Sequence, residues 1–428
     1  MPKSKTICTA PFNHVCVTAT GRYALCCDAV ADYSFPNKKR HINEVKNVNE
    51  WFNGNYMNSV RTAMIKGKKL KECTTCYTKE RTGKPSPRQW FNKNYPALTK
   101  DEKPIPFLYW LDIKFGNNCN LKCKMCFPHS SSELMKEWWK LGWEVNDPME
   151  GQHSRFYNDY MLEDYNWPNK PENIEKLLSM AEYIDELKFT GGEPMISPKF
   201  IQFLESCIER KYAAGIKLYV TTNCTQLHPR FLNLAKQFRE LELRVSIDGT
   251  GPTYEYIRYP AKWSRIEANF REVQNWFKEN AGQLKGKLVL NFVLSCFNCH
   301  NVAEFIEKFE NEVDDLDITE LFDPNFMTWK MLKKEDMEKT KKQLLRLTYK
   351  HAHEEYRKPD PVGQKARYVS ELLSKVKNWE GKTYLLKEQV NEIERKQLIL
   401  LRDFVSAQDN LRKIHIRDYI PELEYLSK

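Results

Sequence analysis

Between Pro104 and about Pro324, short apolar or β-branched runs alternate with longer stretches whose apolar residues recur every three to four positions. The runs are LYWLDIKF, ELKFT, IKLYVTTN, ELRVSID, KLVLNFVLS and DLDITELF. Between the second and third lies SPKFIQFLESCIERKYAAG, in which Ser197 is placed to cap a helix and Pro198 to occupy its first position. Phe200, Phe203, Leu204, Cys207 and Ile208 then fall on one helical face. Ile174, Leu177, Leu178 and Ala181 mark a helix ahead of ELKFT, and Ile266, Phe270, Val273 and Phe277 one ahead of KLVLNFVLS. Strands and helices alternating in this way predict an α/β fold with a parallel sheet and right-handed crossovers. Six strands suffice for an open partial (βα)6 barrel and are too few for a closed eight-stranded one; in either, chemistry gathers at the carboxyl ends of the strands.

The predicted organisation has three parts: an N-terminal segment over 1–104, the barrel over 105–325 and a helical segment over 326–428. The last begins MTWKMLKKEDMEKTKKQLLRLTYKHAHEEY. Two further amphipathic stretches follow, separated by Lys358-Pro359-Asp360-Pro361 and Glu380-Gly381, and none carries a catalytic constellation. The segment from Phe127 to about Pro171 contains an aromatic-rich helix, SSELMKEWWKLGW, placed either to cover the barrel mouth or to pad its wall. The N-terminus lacks an apolar run of signal-peptide length. The longest uncharged apolar stretch, Pro104 to Leu111, is too short to span a bilayer. A cytoplasmic protein without membrane contact is expected. Its 13 cysteines are then better explained by metal binding than by disulfides.

The net charge of +10 is unevenly placed: residues 1–104 carry 19 Lys and Arg against 8 Asp and Glu. The dense run Lys66, Lys68, Lys69, Lys71 reads as a solvated face or as a docking surface for an acidic substrate or nucleic acid. No nucleic-acid fold signature accompanies it.

Four unusual clusters fall on the carboxyl rim. GNNCNLKCKMCFP follows the first strand, TGGEP ends the second, TTN (221–223) the third, and SIDG (246–249) the fourth. Cys119, Cys123 and Cys126 stand at C-x3-C-x2-C. A structural tetrahedral site takes four protein ligands, so three thiolates leave a metal position open. Thiolates select iron–sulfur clusters or zinc; with His129 the trio would instead close a zinc site.

The C-x3-C-x2-C loop after the first strand of a partial barrel, together with GGEP, resembles the radical S-adenosylmethionine (SAM) superfamily. The resemblance implies a [4Fe–4S] cluster on Cys119, Cys123 and Cys126 whose open iron binds SAM. That cofactor is cleaved reductively to a 5′-deoxyadenosyl radical, which abstracts hydrogen from a substrate. It also implies SAM contacts from Gly191, Gly192 and Glu193 at the amine, and from Ser246 and Asp248 at the ribose. Asn223 and Arg258 would contact SAM elsewhere, Met125 would lie near the adenine, and the backbone of Val293 and Leu294 would face the base. Outside such a site, Ser246 and Asp248 would serve as turn caps.

The N-terminal spacing of Cys8, Gly21 and Cys26, with Cys73-x2-Cys76 later, resembles the twitch/SPASM auxiliary iron–sulfur subgroup, here ahead of the barrel rather than after it. It implies a β-hairpin from VCVTAT and YALCC and a second [4Fe–4S] cluster on Cys8, Cys26, Cys73 and Cys76. Cys27 is an alternative to Cys26, and a zinc ribbon is an alternative to the cluster. Cys16, Cys207 and Cys224 read as structural. Cys296-x2-Cys299-His300 spells a haem-attachment string in a setting unsuited to haem. The expected activity is SAM-dependent radical chemistry on a peptide, protein or small molecule, driven by a flavodoxin- or ferredoxin-type reductant. The contrasting reading is a non-catalytic zinc or iron–sulfur protein docking on nucleic acid through its basic N-terminal part.

Overall fold

The computed structural model describes residues 6–29, 40–81, 85–100, 103–143, 164–321, 324–357, 372 and 392–427. Its strands are β1 His14–Val17, β2 Tyr23–Ala24, β3 Thr99–Lys100, β4 Lys103–Pro104, β5 Trp110–Ile113, β6 Glu186–Phe189, β7 Lys217–Thr222, β8 Glu240–Ser246, β9 Lys285–Leu294 and β10 Asp315–Glu320. The six expected runs supply β5 to β10, which lie side by side in chain order, every neighbouring pair parallel. The crossover helices include Pro198–Glu209, whose Ser197 hydroxyl accepts from the Phe200 amide as the sequence predicts.

The side-chain alternation of the strands separates two faces. Phe189 packs on Phe200 and Phe203, and Phe292 on Phe305, so the apolar face meets the crossover helices. The opposite, concave face is polar. Lys188 Nζ lies 2.8 Å from Asp112 Oδ2, and Lys217 Nζ 3.0 Å from Glu242 Oε2. Arg244 bridges Glu242 and Asp317 at 2.9 and 2.5 Å. With one face covered by helices, the other lined by charges and its neighbouring strands parallel, the sheet β5 to β10 has the α/β architecture expected of an open partial barrel.

The sheet does not stop at β5. The expected N-terminal hairpin forms, with Cys16 opposite Ala24 and Val17 opposite Tyr23. Its turn needs Gly21, at φ +75°, where a Cβ would stand 2.8 Å from the Trp167 ring. Strand β1 then pairs in parallel with β5, Cys16 opposite Asp112, extending the sheet to eight strands in the order β10-β9-β8-β7-β6-β5-β1-β2. The N-terminal segment thus shares a sheet and a hydrophobic core with the barrel.

Towards the other terminus, helices Lys334–Arg357 and Glu392–Arg412 are present. The breakers at 358–361 and 380–381 lie outside the described residues. The aromatic-rich helix forms over Ser132–Lys140. Trp138 and Trp143 pack on Phe404 of the last long helix, joining the two. Among the described residues no helix is long and apolar enough to cross a membrane.

Candidate functional site

The cysteine loop leaves β5 through Gly116 at φ +75°, where a Cβ would meet the Tyr165 carbonyl at 2.9 Å. The loop is tied on several sides. Asn117 Nδ2 donates to the Pro128 carbonyl at 3.1 Å, the Ser131 hydroxyl to the Leu121 carbonyl at 2.6 Å, and the Ser132 amide to the Asn117 carbonyl at 2.8 Å. From the segment after the helix Gly251–Ile257, the Ile257 and Tyr259 carbonyls accept from the Lys124 and Lys122 amides at 2.9 and 2.7 Å. Cys119 is buried; Cys123 and Cys126 are half-buried. Burial, reinforced by Cys123, pushes the Cys119 thiol up to about 12, and burial with Cys123 and Cys119 raises Cys126. The Arg258 guanidinium pulls all three thiols the other way.

Gly191 and Gly192 have φ of +70° and +56°. A Cβ on Gly192 would lie 2.5 Å from the Asn118 carbonyl oxygen, and one on Gly191 2.7 Å from the Lys114 stem. The two glycines therefore let β6 end directly against the cysteine loop. Glu193 follows, its amide donating to the Asn118 carbonyl at 2.8 Å. Its buried carboxylate accepts from the Thr222 hydroxyl at 2.6 Å, the Asn223 amide at 2.6 Å and the Met195 amide at 3.0 Å. Burial raises this carboxyl to about 7, and those three donors oppose the shift. Asn223 donates to Asn120 Oδ1 at 3.0 Å and lies 3.9 Å from the Cys119 sulfur. Glu193 and Asn223 thus brace the loop from the ends of β6 and β7.

Asp248 is fully buried. One oxygen accepts from the Val293 amide at 2.7 Å and the other from Arg258 Nε at 2.6 Å. The carboxylate thereby aims the arginine, whose two terminal nitrogens have no partner among the described residues. The Val293 amide is committed to Asp248, the Val293 carbonyl accepts from Asn298 Nδ2 at 2.9 Å, and the Leu294 carbonyl accepts from the Leu321 amide at 2.9 Å. Ser246 is half-buried and its hydroxyl is unpartnered among the described residues; Met125 is half-buried on the loop. Ser246 and Arg258 therefore retain free polar atoms, whereas Asp248, Glu193 and the Val293 amide are engaged by the chain itself.

A further wall comes from a region where the sequence pattern shows no chemistry. Lys124, between the second and third cysteines, is fully buried, and its ammonium lies 2.7 Å from Asp409 of the helix Glu392–Arg412. Burial draws this lysine down to about 8, against the attraction of Asp409. Asp409 also accepts from the Tyr256 hydroxyl at 3.2 and 3.1 Å and from the Ile416 amide at 3.0 Å. One turn on, Arg412 binds buried Glu137 at 2.6 and 2.9 Å and the Lys122 carbonyl at 2.8 Å. The available signal is a helical stripe, Leu401, Phe404, Val405, that continues into Gln408, Asp409 and Arg412, all buried.

In the N-terminal segment, Cys8 lies within electrostatic reach of Cys73, Cys76 and Cys26. Burial raises Cys8 and Cys73 to about 12. Cys27 instead faces Lys188, Asp112 and Lys114 on the concave sheet face, as Cys16 does. Cys207, Cys224, Cys296 and Cys299 are buried, Cys299 donating to the Ser295 carbonyl. Lys66, Lys68, Lys69 and Lys71 are exposed.

Among the described residues no three Cys, His, Asp or Glu side chains converge on a single metal ion. A cubane makes a different demand, because each thiolate ligates a separate iron at its own corner. The donor sets fit that demand: each consists of thiols alone, close enough that their charged forms repel one another and largely withdrawn from water, a repulsion that bound iron would offset.

Residues 113–279 match the family model described as the Radical SAM superfamily. No curated protein matches the chain. Similar solved structures include native anSMEcpe with bound AdoMet, at 18% identity and TM-score 0.37, the match covering 57% of this chain and 62% of that one. Streptococcus suis SuiB bound to S-adenosylmethionine is similar at 14% identity and TM-score 0.35, with 72% and 60% covered. SuiB bound to precursor peptide SuiA is similar at 12% identity and TM-score 0.34, with 66% and 60% covered. The matches thus span about three-fifths of those chains.

Proposed function

We propose that this chain is a radical SAM enzyme acting on a peptide or protein substrate, with a [4Fe–4S] cluster on Cys119, Cys123 and Cys126 and an auxiliary one on Cys8, Cys26, Cys73 and Cys76. The observation that carries the reading is the cysteine loop itself: three thiols at C-x3-C-x2-C on the carboxyl rim of the sheet, within the segment that matches the radical SAM family model, with the charge of the Asp248-held Arg258 felt at all three. When bound, the cluster and SAM supply the one-electron cleavage of the sulfonium to methionine and a 5′-deoxyadenosyl radical.

The residues of the chain bind and orient. Arg258, fixed at Nε by Asp248, offers its two remaining nitrogens to a carboxylate in the fork geometry arginine provides. The Ser246 hydroxyl offers a donor and an acceptor to a sugar hydroxyl. Gly191 and Gly192 bring the end of β6 against the loop, and Glu193 holds the turn rigid through Thr222, Asn223 and Met195. Asp248 acts in this reading through Arg258, a positioning role that replaces the ribose contact implied by the sequence resemblance. Cys26 is preferred to Cys27 as the auxiliary ligand because it lies within electrostatic reach of Cys8, whereas Cys27 is influenced by Lys188 and Asp112. The basic N-terminal surface and the charged concave face favour a polar substrate of peptide type.

Anaerobic reconstitution tests the reading. About eight irons per chain are expected from two cubanes, together with 5′-deoxyadenosine release on reduction in the presence of SAM. Replacing Cys119, Cys123 and Cys126 together by Ala should abolish the release and leave about four irons. Release that persisted in the triple variant would overturn the assignment.

A further inference from the structure

Behind the cysteine loop, where helix Ser132–Lys140 meets the end of helix Glu392–Arg412, lies a groove of about 450 Å³. Its walls include Lys122, Lys136, Lys140 and Lys413, with Trp139 and Leu411. Five cationic side chains line it, counting Arg412, against two carboxylates, Glu133 and Glu137. Glu137 pairs with Arg412 and Glu133 with Lys136 at 2.5 Å, which leaves a surplus of three positive charges from Lys122, Lys140 and Lys413. The positive surplus is local, since residues beyond 104 carry a net charge of −1.

Two more features distinguish this groove from a solvated lysine face. Trp139 and Leu411 are 48% and 38% exposed, an aromatic and an aliphatic group presented together among the charges. The groove also abuts the proposed cluster. Lys122 directly precedes Cys123, its carbonyl accepts from Arg412 and its amide donates to Tyr259, so the groove wall is the loop backbone itself. The charge of Arg412 is felt at the Cys123 thiol. A negatively charged protein seated here would lie one residue from a cluster ligand, steered by charge and anchored by an indole.

We propose that this groove is the docking site for an acidic one-electron carrier protein of the flavodoxin type. The inference rests on the radical SAM reading, which requires a reductant. On docking, the reduced carrier loses one electron and the cluster gains it, with no other co-reactant. The lysines act by electrostatic attraction, which is screened by salt, and Trp139 by apolar contact.

The test uses the full chain, anaerobically reconstituted, with reduced flavodoxin as the protein donor and dithionite as a small one that needs no docking surface. The variant K136E/K140E/K413E changes exposed side chains only. Expected results are binding of flavodoxin weakened about tenfold or more at low salt, by anisotropy, and flavodoxin-driven cluster reduction slowed by a similar factor. About 0.5 M salt should erase most of the difference. Trp139→Ala should weaken binding with its salt dependence unchanged. Dithionite should reduce the cluster and support 5′-deoxyadenosine release equally in wild type and variant.

Flavodoxin binding and reduction unaffected by the charge reversals would overturn the docking site. So would binding of a short single-stranded RNA in the groove with no binding of flavodoxin. Failure of the wild type to cleave SAM with dithionite would instead overturn the enzymatic reading. Anisotropy with the unreduced protein still tests the surface in that event.

Discussion

Lys124 and Asp409, 285 residues apart in the chain, form a fully buried ion pair of 2.7 Å at the back of the cysteine loop. The lysine stands between two cysteines of the loop, and the aspartate comes from a helix near the other end of the chain. A charge in such surroundings is tolerated only with its partner, because the desolvation it has suffered is offset by the opposite charge and by hydrogen bonds. The pair also lies against the Tyr256 ring, 4.3 Å from the ammonium. The final long helix is therefore a structural wall of the site.

Asp409→Ala strands the Lys124 ammonium, and urea unfolding should show a loss of about 3–5 kcal/mol. Lys124→Met should cost less, because Asp409 keeps the Tyr256 hydroxyl and the Ile416 amide. The double variant should be more stable than the sum of the single losses implies, with a coupling of about 1–3 kcal/mol. Simple additivity would show that the two charges do not stabilise one another.

Gly192→Ala places a methyl 2.5 Å from a carbonyl oxygen of the cysteine loop and forces an L-residue to φ +56°. A destabilisation of at least about 2 kcal/mol is expected from the left-handed backbone and the overpacking together. The same variant should bind less iron after reconstitution. Gly215→Ala, with open space around its Cβ and no left-handed backbone, is the control and should be close to neutral.

Asp248→Asn keeps the shape but removes the charge that holds Arg258. Stability should fall by about 1.5–3 kcal/mol, the range for a hydrogen bond to a charged group. SAM affinity measured calorimetrically on the reconstituted protein should drop about tenfold, since the guanidinium loses its fixed orientation. Unchanged SAM affinity would remove Asp248 from the positioning role.

His14 is buried against Trp110 and Phe91, its Nδ1 3.4 Å from the Leu25 carbonyl and its Nε2 without a hydrogen-bond partner among the described residues. Burial is the main cause that draws it down to about 4. Between pH 6.5 and 4 the unfolded chain takes up a proton that the native imidazole refuses, so stability falls as pH falls through this window. The accumulated loss is about 3 kcal/mol. His14→Phe should flatten the pH dependence of unfolding in that range by about one proton. An unaltered slope would show that another group controls it.

Where the candidate residues lie on the sheet could largely be read from local pattern. The three cysteines, the paired glycines and the TTN and SIDG strand ends were legible because each is a short motif at the end of a recognisable strand. The hairpin was legible from Gly21 and its flanking strands. The hydrogen-bond partners of Glu193 and Asp248 within the chain were not, because a carboxylate reads the same in sequence whether it faces a ligand or the chain's own donors. Only the register of β6 with β7, and of β8 with β9, turned them inward. Lys124 and Asp409 were illegible for a simpler reason: each looks like an ordinary surface charge until its partner is known.

The sequence by itself determined the alternation of strand and helix, the six parallel strands and the rim on which the thiols gather. Those features depend on periodicities of two and of about 3.6 residues, and on caps and turns, all of which act over a few positions. Tertiary structure decided what no local signal carries: that β1 extends the barrel sheet beside β5, that the concave face is lined with ion pairs, and that Asp409 and Arg412 close the back of the cysteine loop. These arrangements join segments from opposite ends of the chain, and the free energy that selects them, burial of a charge with its partner and of one apolar face against another, exists only once the chain is folded.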